Sequence, residues 1–145
     1  MGQLYIGNHL LSIDEKGRMT IPAKFRKDLG GKVVLSLSFD GNLEIRSKAS
    51  FKEWAAFLNG QPQLNLSAQQ LRDAIFGNSE ELEIDQKGRI LIPGQISKVA
   101  GLDKQVNLIG AGDRVRIISA AKWIEFQSNQ TSTLLAAAKK LDESK

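Results

Sequence analysis

The chain has 145 residues, with 20 Lys+Arg against 16 Asp+Glu, one His and no Cys. That length makes one ordinary domain, or two very small units sharing a core, and the missing cysteines exclude disulfides and thiolate metal sites. The net charge of +4 permits a nucleic-acid partner without requiring one.

The first ten residues, MGQLYIGNHL, lack the basic region and apolar run of a signal peptide. Ile6 stands where an acylation motif needs Ser or Thr. No apolar run is long enough to span a bilayer. A soluble, cytoplasmic chain without a membrane partner is expected.

HLLSI, residues 9–13, reads as a strand. DEKG follows with turn chemistry, in which Asp14 opens the turn and Gly17 supplies a positive φ. Arg18 to Ile21 returns as a strand, and Pro22 sits where a helix would start. AKFRKDL, residues 23–29, makes that short helix, stopped by Gly30. VVLSLSF, DGN and LEIRS then form a hairpin, because Asp-Gly joins two alternating runs. Two helical segments follow. Ser50 with Glu53 and Ser67 with Gln70 have capping-box spacing, and Gly77 reads as the stop. EELEI, residues 80–84, begins the same series again, with Asp85, Gly88 and Pro93 in the places of Asp14, Gly17 and Pro22. A second short helix, residues 94–100, leads to another hairpin, and a helix-forming tail closes the chain.

The recurrence is specific. DEKGRMTIP and DQKGRILIP align at an offset of 71 residues, so that Lys16 and Arg18 match Lys87 and Arg89. A one-residue insertion near the second turn moves the offset to 72, at which LEI matches VRI, and the likeness runs for over forty residues. Two copies are too few for a solenoid. They point to a pseudo-twofold pair, residues 8–54 and 79–126, with a connecting helical segment 55–78 and a helical tail 127–145. A four-stranded unit of this size cannot bury both its faces alone. The fold class expected is α+β, mainly β with short helices, in which two interleaved units close a β-barrel.

Two readings stand for the basic residues. Arg18 and Arg89 either clamp the aspartate four residues earlier or reach phosphates and base edges. Lys16 and Lys87 are turn-tip lysines, either solvated or on phosphate. Lys24, Arg26 and Lys27 form either a wet helix face around Phe25 or a basic patch beside the DEKGR turn. Residues 1–54 carry nine basic and six acidic residues, net +3, whereas residues 79–126 carry seven of each. A polyanion would therefore meet the first copy.

Catalytic signatures are missing. His9 has neither a Cys nor a second His as partner, so no metal site is expected. GAGDRV lacks the third glycine and the helix of a dinucleotide fingerprint. No phosphate-binding loop or nucleophile elbow occurs. Neither enzyme activity nor a cofactor is expected.

LLSIDEKGRMTIPAKFRKDL and LEIDQKGRILIPGQISKVAGLDKQVNLIGAGDRVRI resemble the MraZ family, whose units are similar to the SpoVT/AbrB DNA-binding domain. The resemblance covers residues 5–127. It implies a swapped-hairpin barrel made by the two repeats. It also implies a sequence-specific transcriptional regulator of the division and cell-wall gene cluster, binding short G-rich boxes in double-stranded DNA upstream of its own operon as a ring-like homo-oligomer at the nucleoid. The family's D-x-x-x-R pair carries over to Asp14 with Arg18 and to Asp85 with Arg89. The basic helix residues of related domains match Arg26 and Lys27 in the first copy, and Ser97 and Lys98 in the second. A protein-binding, antitoxin-like oligomer is the competing class, with the tail as its binding element.

Overall fold

Each nine-residue phrase folds as a turn between two strands, and the two phrases pair with each other. The computed structural model describes residues 4–144. Residues 1–3, which belong to the N-terminal segment read for targeting signals, and Lys145, the end of the expected tail, lie outside the described residues. The element order is β1 (Tyr5–Ser12), β2 (Arg18–Thr20), α1 (Ala23–Leu29), β3 (Lys32–Leu37), β4 (Leu43–Ser47), α2 (Lys48–Asn59) and α3 (Leu66–Gly77). The second half follows with β5 (Ser79–Glu83), β6 (Arg89–Leu91), α4 (Gly94–Val99), β7 (Gln105–Gly112), β8 (Val115–Ser119), α5 (Ala120–Ser128) and α6 (Gln130–Glu143). The architecture is α+β, as the alternating runs and short helices require.

Six strands form one antiparallel sheet in the order β1-β7-β8-β4-β3-β5, and β2 with β6 forms a separate two-stranded ribbon. Exchanging the copies (β1 for β5, β3 for β7, β4 for β8) reads the six-stranded order backwards, so a pseudo-twofold axis passes between β4 and β8. The first strand of each copy pairs with the hairpin of the other. β1 runs along β7 from Tyr5↔Gly112 to Ser12↔Gln105, and β5 runs along β3 from Ser79↔Ser36 to Glu83↔Lys32. Met19, Ile21 and Phe25 from the first copy and Ile90, Ile92 and Val106 from the second lie in one core, each at most 3% exposed.

The closed barrel expected from the sequence is not formed. β1 and β5 end the large sheet without pairing to each other, and the ribbon stays apart from it. The prolines supply a reason. The ribbon extends only through Ile21 N–H to Gly88 C=O and Ile92 N–H to Gly17 C=O. The next residues, Pro22 and Pro93, have no N–H to continue a ladder, and their fixed φ suits a helix start.

The capping expectations also need correction. α2 starts at Lys48, and its cap is Ser47, whose side chain accepts from Ser50 N–H. α3 is capped by Asn65, which accepts from Ala68 N–H. Ser50 with Glu53 and Ser67 with Gln70 therefore lie within the helices. Gly77 is the last residue of α3, and Asn78 caps it. No described helix is long and apolar enough to cross a membrane.

Candidate nucleic-acid interface

Asp14 organises the first turn with both carboxylate oxygens. Oδ1 accepts from the backbone N–H of Lys16 at 2.9 Å and of Arg18 at 2.8 Å. Oδ2 accepts from Arg18 Nε at 2.9 Å. The second turn repeats this: Asp85 Oδ1 accepts from Lys87 and Arg89 N–H, and Oδ2 from Arg89 Nε, all at 2.9 Å. Gly17 and Gly88 close the turns at φ of 87° and 82°, in the left-handed region where a Cβ is strained. The Arg18 N–H bond is the largest influence on Asp14, with Arg18's guanidinium and the Lys16 N–H acting the same way. Together they hold its carboxyl below the usual aspartate range. Asp85 is lowered likewise, first by the Arg89 N–H.

The clamp reading is thus correct for both arginines, and it leaves the other one open. Only Nε is engaged. The terminal nitrogens of Arg18 and Arg89 have no protein partner among the described residues, and both side chains reach solvent. A clamped Nε fixes the fork's direction, which lowers the entropy lost when the fork meets an acceptor.

The ribbon register sets where those forks point. Arg18 lies opposite Leu91, Met19 opposite Ile90, and Thr20 opposite Arg89. Directly opposed residues share a face, and alternate residues change face. Met19 and Ile90 go inward, each 1% exposed. Arg18, Thr20, Arg89 and Leu91 therefore all project outward on one face. The two arginines are diagonal neighbours, about 7–8 Å apart at Cα.

The helices after the prolines flank this face in crossed order. α1 follows Thr20 and so meets the turn of the second copy. The Arg26 guanidinium covers Gly88, so that a side chain there would collide with it. Gly88 is buried in consequence, whereas Gly17 is only half-buried. α4 carries Ser97 in the corresponding place. Ser97 is too short to cover the first turn, and it lines a cavity of about 490 Å³ with Asp14, Glu15, Asp103 and Lys104. The basic helix therefore lies beside DQKGR, not beside DEKGR as the linear sequence suggests.

The remaining expected residues divide. Lys16, Lys87 and Lys27 are exposed. Lys24 is exposed as well, but it leans on β1, with its ammonium beside Gly7 and 5.1 Å from the centre of the Phe25 ring. Thr20 and Leu91, absent from the expected set, share the arginines' face. The alternation R-M-T and R-I-L carried that signal.

A second polar cluster was not anticipated. Glu44 and Arg46, each about 4% exposed in the side chain, are bonded at 2.9 Å beneath α2. Arg114 Nε donates to Glu44 at 2.6 Å, and Arg46 lies 4.8 Å from the centre of the Trp54 ring. Burial pulls Arg46's pKa down, and Glu44 opposes that shift. The group sits at the pseudo-twofold axis, where Glu44 directly opposes Arg116. Among the described residues no group of three or more His, Cys, Asp or Glu is placed to hold a metal ion.

Comparison with known proteins gives one family for both halves. Residues 4–73 and 75–143 match the family model described as "MraZ protein, putative antitoxin-like". A protein of Ureaplasma parvum serovar 3 named "Transcriptional regulator MraZ" is 36% identical over 140 residues, covering 95% of this chain and 97% of the relative. The protein of the same name from Mycoplasmoides gallisepticum is 34% identical over 140 residues, covering 97% and 99%. That from Moorella thermoacetica is 33% identical over 138 residues, covering 95% and 96%. With two matched halves and relatives aligned over nearly its whole length, the chain belongs to the MraZ family.

Proposed function

We propose that this chain is a sequence-specific DNA-binding transcriptional regulator, with the outward face of the β2–β6 ribbon as its reading surface. One observation carries this: both Asp-clamped arginines project from one exposed two-stranded ribbon, their guanidinium ends free and their Cα atoms about 7–8 Å apart. A two-stranded ribbon fits the major groove, and a guanidinium end matches the paired acceptors of guanine. Lys16, Lys87 and Arg26 beside them suit phosphate contacts, which position the ribbon without reading sequence. The names of the relatives agree in assigning transcriptional regulation to them.

The proposal extends to the finer points of the resemblance. The targets are short boxes upstream of the chain's own operon, in the division and cell-wall cluster. The regulator works in the cytoplasm at the nucleoid, as a ring-like homo-oligomer that engages successive boxes through effective concentration. Fluorescence anisotropy on its own upstream duplex and on a scrambled duplex, across salt concentrations, tests the core of it. Tighter binding to the upstream duplex, weakening as salt rises, is expected. Equal binding to both duplexes would overturn sequence-specific regulation.

One observation favours a protein-binding role as well. α6 has no buried residue, and Leu134, Leu135 and Leu141 are 59–69% exposed. A helix that leaves three leucines in water suits contact with another protein surface. Light scattering of Leu135→Glu against the unaltered chain tests it. An unchanged mass, with no partner lost, would remove α6 from any assembly.

A further inference from the structure

The ribbon face is not symmetric, and its asymmetry has a chemical sense. Thr20 and Leu91 occupy equivalent positions in the two copies. Thr20 is small and opposes Arg89, whereas Leu91 is large, apolar and 55% exposed, and opposes Arg18. A lone exposed leucine is ordinary. This one stands in a defined place: next to a fixed guanidinium, over the first turn near Gly17, and in a hollow shared with Glu80, Glu83 and Pro93.

Resting on the DNA-binding reading above, we propose that Leu91 determines specificity: it packs on the 5-methyl group of a thymine beside the base pair read by Arg18, and Thr20 at the other end makes the recognised site non-palindromic. The thymine methyl is the apolar group that base edges offer in the major groove, and an aliphatic side chain is its chemical match. Leu91 offers a phosphate neither charge nor donor, so its contact is directed to base edges and not to the strand backbone. Thr20 also carries a methyl, but a smaller apolar surface than leucine and one shared with a hydroxyl that both donates and accepts, so its preference for thymine is weaker. The arginine diagonal of about 7–8 Å spans roughly two base-pair steps, which leaves each opposed residue beside its own arginine's base pair.

The test is selection from a random duplex library with the full chain at about 0.1 M salt, for the unaltered protein, Leu91→Thr, and Thr20→Leu combined with Leu91→Thr. Expected is a site without twofold symmetry carrying one thymine position. Leu91→Thr weakens that preference, and the double exchange moves the stronger preference to the other side of the site. Replacing the selected thymine by deoxyuridine, which removes only the methyl, weakens the unaltered chain about three- to fivefold and weakens Leu91→Thr less. A twofold-symmetric site, an unmoved thymine preference, or no effect of deoxyuridine would overturn the proposal while leaving DNA binding intact. A library that yields no enriched sequence would overturn the DNA-binding reading and this proposal with it. Threonine is a good strand former on an exposed face, so the variants keep the ribbon.

Discussion

The two ends of the β2–β6 ribbon have the same backbone and different surroundings. At one end Asp14 clamps Arg18, Leu91 stands opposite, and Ser97 leaves a cavity rimmed by Asp14, Glu15 and Asp103. At the other, Asp85 clamps Arg89 at the same 2.9 Å, Thr20 stands opposite, and Arg26 covers the turn. Each end is thus built from both copies. Duplication in one chain lets equivalent positions diverge, and interleaving moves the divergent residues to the far end. The axis between the ends shows the same freedom. Glu44 and Arg116 are equivalent positions placed opposite each other, where two identical halves would oppose like charges.

The largest way to break the comparison is through the core beneath each end. Phe25→Ala removes a 1% exposed ring in edge contact with Tyr5 and His9, and a loss of about 3–5 kcal/mol in urea unfolding is expected. Its counterpart Ile96 is 8% exposed, so Ile96→Ala loses less, about 2 kcal/mol. At the axis, Glu44→Ala leaves Arg46 buried without its carboxylate, and about 3 kcal/mol is lost on the same assay. An unfolding midpoint within error of the unaltered chain would show that Arg46 finds water instead.

Smaller effects sharpen the contrast between the ends. Arg26→Ala removes one cation beside the second turn, whereas Ser97→Ala removes none. In DNA titrations the first flattens the dependence of log affinity on log salt by about one, and the second leaves it alone. Equal slopes would mean that Arg26 serves only to cover Gly88. The clamps are the point on which the ends agree. Asp14 and Asp85 both have folded pKa values below the ordinary aspartate value, so the stability they contribute is present above that value and lost as pH falls through the lowered one. Urea midpoints therefore carry no clamp contribution to change between pH 8 and about 5. Asp14→Asn and Asp85→Asn should each reduce the fall seen at lower pH, by similar amounts. A reduction in only one variant would show that the two turns differ energetically despite matching geometry.

Much of this was legible in the residues themselves. Pro22 and Gly30 bracket α1 at its observed bounds, because each has a backbone preference that does not depend on neighbours. The Asp and Gly of the turns were equally plain. The caps were not, because β4 runs straight into α2. In RSKAS both serines suit an N-cap and the capping-box spacing favours Ser50, so only the strand's end selects Ser47. Glu44 and Arg46 alternate with Leu43 and Ile45, a pattern that ordinarily marks an outward, wet face. β4 lies at the centre of the sheet with α2 on its second face, and both faces are buried. The placement of Arg26 depends on pairing between the copies, which linear charge counting cannot register. Counting gave the first copy the basic surface, but the fold lends that copy's α1 to the second copy's turn.

The composite face is tested most directly by measuring affinity for the upstream duplex with Arg18→Ala and Arg89→Ala side by side. Each removes one fork from one end of the same surface. Each is expected to weaken binding by about tenfold or more, with the preference over scrambled DNA reduced in both. Binding by either variant that matches the unaltered chain would contradict a reading surface shared by the two copies.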